Sequence, residues 1–173
     1  IDEKSLYYED NRWFFDRALA EKTGIPSRLI DIIIKRMSLF SEEEKYILSL
    51  ASVFGRKIDM QYLFEIRSEL DAEESPADPA GGTQLISLWE KRIIATIDRA
   101  IGLQVLEQDV FGERMLMFSH DRIREALYST VDESRRKTIH HAIARIMERS
   151  SCHNGNDLVF DIAYHYMESG DEA

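Results

Sequence analysis

Apolar residues recur along this chain at two periods, and the alternation between them divides it into elements. Leu6, Tyr7 and Tyr8 and then Trp13, Phe14 and Phe15 flank the polar triplet Glu9-Asp10-Asn11. Aromatic runs on both sides of turn-forming residues predict a short β-hairpin over residues 4–16. Asp16 is placed to cap a short helix from Arg17 to Glu21, with Gly24 ending it and Pro26 opening the next. From Pro26 to Met37, the positions Leu29, Ile30, Ile33, Ile34 and Met37 follow helical spacing. Ser41 with Glu44 three residues on forms a capping-box pattern, and Glu42, Glu43 and Glu44 suit the positive end of the helix dipole. Behind that cap, Tyr46, Ile47, Leu50, Ala51 and Phe54 predict one buried stripe, closed by Gly55.

Asp59 is expected to cap a short helix carrying Leu63, Phe64 and Ile66. Residues 68–84, with Ser75, Pro76, Asp78, Pro79, Gly81 and Gly82, predict a long polar loop. Helical spacing returns from Leu85 to Ile101, with Leu85, Leu88, Trp89, Ile93, Ile97 and Ile101 as candidates for burial and Gly102 as the C-cap. Residues 103–107 and 114–118, joined by Asp109-Val110-Phe111-Gly112-Glu113, predict a second hairpin. Three helices are expected after it: Asp121 to Ser129, Asp132 to Arg149 and Asp157 to Glu168, the last two separated by a loop from Ser150 to Asn156. The fold class is therefore mainly α with small β-hairpins. Three helices followed by a hairpin is the order of a winged helix with a two-stranded wing, and the antiparallel helical pair after it resembles the start of a tetratricopeptide-like array. The expected division is 1–40, 41–131 and 132–173.

Charge narrows what such a domain does. The net charge is −10, and the segment 151–173 holds five acids and no base. Duplex binding draws most of its non-specific affinity from a basic face. Only Arg122, Arg124, Arg135, Arg136 and Lys137 cluster, either as a small anion-facing patch or as a solvated helix face. One cysteine, Cys152, excludes an internal disulfide framework and favours a reducing, cytoplasmic setting. No apolar run approaches the roughly 20 residues of a membrane span, so no membrane partner is expected. The chain opens on Ile1 and ends in a helical pattern, and it reads as a piece of a longer protein.

Catalytic signatures are missing. There is no Gly-x-x-x-x-Gly-Lys-[Ser/Thr] phosphate loop, no Gly-x-Ser-x-Gly and no His-Glu-x-x-His, so the chain is not expected to be an enzyme or to hold a cofactor by itself. His140-His141, Cys152-His153 and His165 suggest a metal only weakly. Adjacent histidines on a helix point about 100° apart, and no second thiol is near. Trp13 and Trp89 are expected to pack rather than to stack on bases, because no basic groove accompanies them.

Several segments together resemble the STAND class of signal-transduction ATPases, in the region just after the nucleotide-binding core. Asn11-Arg12-Trp13-Phe14-Phe15-Asp16 resembles a hairpin late in their ATPase module. Ile25-Pro26-Ser27-Arg28-Leu29-Ile30 through Met37-Ser38-Leu39 resembles their lid helix, and Ser41 through Asp59 the first part of their winged helix. Phe118-Ser119-His120-Asp121-Arg122-Ile123-Arg124-Glu125-Ala126-Leu127-Tyr128 resembles the stretch leaving the wing. The resemblance implies a regulatory module that couples an upstream ATP/ADP-Mg core to a helical sensor and an output domain, with protein partners. It also implies that His120, in a motif often written Met-His-Asp, touches the β-phosphate of ADP. Ser119 stands here in place of the methionine. Asp121 either orients the imidazole or caps the helix that it begins. The alternative reading is a DNA-binding winged helix, whose recognition helix would offer only Lys91, Arg92 and Arg99.

Overall fold

The computed structural model describes residues 6–9, 12–15, 32, 35–74, 82–109, 114–154 and 158–170. Strands β1 (Leu6–Glu9) and β2 (Arg12–Phe15) pair antiparallel, Leu6 opposite Phe15 and Glu9 opposite Arg12, as the aromatic runs predict. The helix expected at Arg17 to Glu21 and most of the one from Pro26 lie outside the described residues, although residues 35–37 are helical.

Helix α1 (Glu42–Val53) begins on the predicted capping box. The Ser41 hydroxyl accepts from the Glu44 amide, and the Glu44 carboxylate accepts from the Ser41 amide at 2.7 Å. Its second half is buried on every side, from Ile47 through Val53, where the spacing predicts a single stripe. The stripe fails at one edge, since Tyr46 is exposed. Ser49 and Ser52 tolerate burial because each hydroxyl donates to the carbonyl three residues back, Ser49 to Tyr46 at 2.8 Å and Ser52 to Ser49 at 2.6 Å. Gly55, at φ +102°, takes the left-handed turn that ends the helix without steric cost.

Residues 57–59 form strand β3 (Lys57–Asp59), too short to announce itself by alternation. Asp59 caps helix α2 (Met60–Glu74), its carboxylate accepting from the Gln61 amide at 2.8 Å. That helix runs seven residues into the stretch predicted as loop, and α3 (Gly82–Gly102) begins three residues earlier than predicted, so helix replaces both ends of the expected 68–84 loop. Residues 75–81 lie outside the described residues.

Strands β4 (Leu106–Gln108) and β5 (Met115–Phe118) form the predicted hairpin, and β3 joins its other side to make a three-stranded antiparallel sheet in the order β3-β5-β4. Ile58 sits opposite Leu116, and Leu106 opposite Phe118, so the four inward side chains share one face of the sheet. Helices α4 (Asp121–Thr130), α5 (Glu133–Asn154) and α6 (Val159–Ser169) complete the chain. Helix α5 extends five residues past the predicted end at Arg149. The Asp132 carboxylate caps it by accepting from the Arg135 amide at 2.9 Å.

Helix α1 is central: α3, α4 and α5 all pack on it, and α5 also packs on α2. One apolar cluster runs from Met37 and Phe40 through Leu50, Ile66, Ile93, Leu116 and Ile123 to Ile143 and Met147. Buried Glu69 of α2 answers two arginines one turn apart on α5, Arg145 at 3.1 Å and Arg149 at 2.7 Å. The described structure is thus mainly helical with one small antiparallel sheet and the β1-β2 hairpin. Among the described residues no helix is long and apolar enough to cross a membrane.

Candidate functional site

The exit of β5 is built by the end of α3. Helix α3 ends on Gly102, but the left-handed residue of its closure is not that glycine, predicted as the C-cap; it is Gln104, two residues on, at φ +54°. The Gln104 amide donates to the Ile101 carbonyl at 2.9 Å, and the Val105 amide to the Ala100 carbonyl at 2.8 Å. This paired closure satisfies carbonyls that a helix end otherwise leaves open, and buried Val105 packs under the last turn. Gly102 stays within the helix, so the left-handed position falls on a side chain with another use.

That use is a set of hydrogen bonds. Arg36 donates from Nη1 to the Gln104 carbonyl at 3.0 Å and from Nη2 to Gln104 Oε1 at 2.8 Å. Ser119 donates its hydroxyl to the same carbonyl at 2.7 Å and its amide to the Val105 carbonyl at 3.1 Å. Arg99, in the last turn of α3, donates to the Leu39 carbonyl at 2.6 Å and reaches Glu44 at 3.3 Å.

His120 follows directly. It occupies the N-cap of α4 in extended conformation (φ −144°, ψ 133°), and its carbonyl accepts from the Ile123 amide at 3.0 Å. Its side chain makes no capping bond and is exposed. The capping role considered for Asp121 is therefore corrected: the helix begins at Asp121, which lies one position inside as a first-turn acid, also exposed. The two predicted site residues sit side by side at the positive end of α4, next to a turn fixed by Ser119.

Ion pairs and a ring contact engage members of the basic cluster. Arg122 pairs with Glu125 at 2.8 Å and Lys137 with Glu133 at 3.3 Å. The Arg136 guanidinium lies over the Tyr128 ring, 4.9 Å from its centre. On α3, Arg92 pairs with Glu43, and Arg99 is engaged as above. Trp89 is buried, with the Arg67 guanidinium 5.5 Å from its ring centre, as a packing residue would be. Leu88, predicted as core, is instead exposed.

Sequence reading missed one constellation. His140 of α5 and His165 of α6, both buried, meet with their Nδ1 atoms 2.8 Å apart. One ring donates and the other accepts, an arrangement that two neutral imidazoles can make. The Tyr128 hydroxyl of α4 completes the chain at 3.1 Å from His140 Nε2. Burial, reinforced by the Arg136 charge, pushes His140 down to about 4. Burial and then the neighbouring His140 push His165 down to about 3. The 25-residue separation hides the pair from any sequence motif. Among the described residues, no group of three or more His, Cys, Asp or Glu is arranged to hold a metal ion.

No family model, no curated protein and no solved structure matches this chain.

Proposed function

We propose that this chain is a non-catalytic regulatory and interaction module of a STAND-type signalling ATPase, in which residues 41–131 are a winged helix and residues 132–173 open a tetratricopeptide-like helical array. The element order supports the first part. Three helices, α1 to α3, precede the β4-β5 hairpin, which this reading takes as the wing, and β3 between α1 and α2 supplies the third strand of the sheet. The surface of α6 supports the second. Phe160 and Met167, seven residues apart, are 86% and 78% exposed, while half-exposed Tyr164 turns its ring to His140. An apolar stripe on the face away from α5 suits a helix meant to be stacked on by another element.

The observation that carries the proposal is the placement of His120. Its ring is exposed at the mouth of α4, where amides and helix dipole favour an anion. In this reading an upstream core holds ADP with Mg, and the imidazole donates to the β-phosphate when the winged helix folds against that core. Such a charge-assisted bond contributes about 1.5–3 kcal/mol. It exists only in the closed arrangement, so the nucleotide biases domain position. The DNA-binding alternative is not favoured, because two of the three bases on α3 are held by Glu43, Glu44 and a backbone carbonyl.

The test uses the polypeptide that carries the nucleotide core. His120→Ala is expected to speed release of a fluorescent ADP analogue and to raise basal output. Unchanged release together with unchanged output overturns the assignment.

A further inference from the structure

The Gln104 carbonyl is where three segments meet: the turn before α1, the end of α3 and the exit of β5. Carbonyls at a helix C-terminus commonly face water. This one receives a guanidinium from residue 36 and a hydroxyl from residue 119, which together use both of its lone pairs. The left-handed conformation of Gln104 brings its backbone and side-chain oxygens to one guanidinium, and that two-point contact fixes Arg36 in orientation as well as in place. The negative end of the α3 dipole adds to the attraction. Ser119 is fixed in turn, with its hydroxyl on carbonyl 104 and its amide on carbonyl 105. Buried Phe118 anchors the chain just before it, and the His120 carbonyl is bonded into α4 just after.

We infer that Gln104 is a positioning residue for His120, and that Arg36 couples the segment preceding Ser41 to the histidine turn through it. Arg99 also grips that segment, at the Leu39 carbonyl, but it makes no bond to residue 119. The shortest hydrogen-bonded route from residue 36 to residue 119 therefore runs through the Gln104 carbonyl, beside which the Ser119 amide and hydroxyl also reach the Val105 carbonyl, at 3.1 and 3.3 Å. A shift of residues 35–40 draws on an acceptor that Ser119 shares, and so it reaches the backbone on which the imidazole is mounted. This deepens the reading of His120 as a phosphate contact and rests on it for its purpose, though not for its geometry.

The experiment uses the 173-residue chain without nucleotide. In Arg36→Ala, the backbone amide resonances of Ser119 and His120 are expected to shift in a two-dimensional NMR spectrum, while those of Ile146 and Met147 stay in place. Arg36→Lys keeps the charge but cannot make the two-point contact, and it is expected to shift the same resonances. Arg36→Ala and Ser119→Ala are expected to be non-additive in melting temperature, because each changes the acceptor that the other uses. Gln104→Gly relieves the positive φ and retains the carbonyl while removing Oε1. It is expected to keep the fold and to reduce the response of His120 to Arg36→Ala. Unmoved Ser119 and His120 resonances in both Arg36 variants, or strict additivity, overturns the inference. If the coupling is observed while His120→Ala leaves ADP release unchanged in the longer polypeptide, the positioning role stands and the phosphate contact falls.

Discussion

Helices α1 and α6 distribute their side chains in opposite ways. Helix α1 turns Glu42 and Glu43 to water and buries Leu48, Leu50 and Val53. Helix α6 buries His165 and leaves Phe160 and Met167 to solvent. Polarity alone places α1; it would turn α6 over. What holds α6 is specific: the bond from His165 to His140, Ile162 packed against the main core, and the Tyr166 hydroxyl donating to Glu148 at 2.9 Å. Non-directional burial secures the first helix. Directional bonds secure the second, and its greasier face is left available.

The contrast breaks first at α1. Leu50 is fully buried in the helix on which α3, α4 and α5 converge. Leu50→Ala removes contacts on several sides at once and is expected to destabilise the chain by about 2–5 kcal/mol. Chemical denaturation should show the whole chain losing stability together, because α5 shares the same apolar cluster. If only residues 41–131 unfolded, leaving α5 and α6 folded, the single-core description would be wrong.

At α6 the sensitive variable is acidity. His140 and His165 have folded values of about 4 and about 3, below the ordinary value near 6.5, chiefly because they are buried. Between those limits the unfolded chain binds more protons than the folded one, so stability rises with pH across the interval. The contribution is complete above about 6.5 and is lost as pH falls through about 4 for His140 and about 3 for His165. Against the pair stand Arg136 on α5, Tyr128 on α4 and Tyr164 on α6. The Arg136 charge opposes protonation of His140, and His140 opposes that of His165. Thermal unfolding from pH 7 to pH 4.5 should show a falling melting temperature in the parent and a flatter profile in His140→Gln/His165→Gln. Equal slopes would place the acid sensitivity elsewhere, for example at Glu69 between its two arginines.

How far the sequence exposes these features follows from the range of the interactions. The Ser41–Glu44 capping box and the turn at Gly55 depend on residues a few positions apart, and both are legible. The second hairpin is legible from its alternation, but β3 is not, since three residues cannot establish a period. The left-handed residue that closes α3 is misplaced by two positions because glycine is the usual residue there. Gln104 takes that role because Arg36, 68 positions away, bonds to both of its oxygens. His120 can be named from its neighbours, but its placement depends on the same distant contacts. The His140–His165 pair is invisible for a similar reason, as is the outward turn of Leu88 and Tyr46 on helices whose spacing places them inside.

The smallest expected effect on stability is the one that sharpens the comparison most. Phe160 and Met167 lie seven residues apart on α6 and project away from α5, so Phe160→Glu/Met167→Glu removes little buried surface. Exposed substitutions of this kind change stability by about 0.5 kcal/mol or less. The added charges fall near Asp161 and Glu168, and mild repulsion opposes any gain from losing exposed apolar area. The melting temperature of the 173-residue chain is therefore expected to stay nearly fixed. If α6 opens the proposed helical array, the same double variant in a longer polypeptide is expected to weaken packing there, read as faster amide exchange along α6 than in the parent. A large loss of stability in the short chain would mean that the stripe already has a partner within it. An unchanged exchange pattern in the longer polypeptide would mean that nothing stacks there and would count against the proposed array.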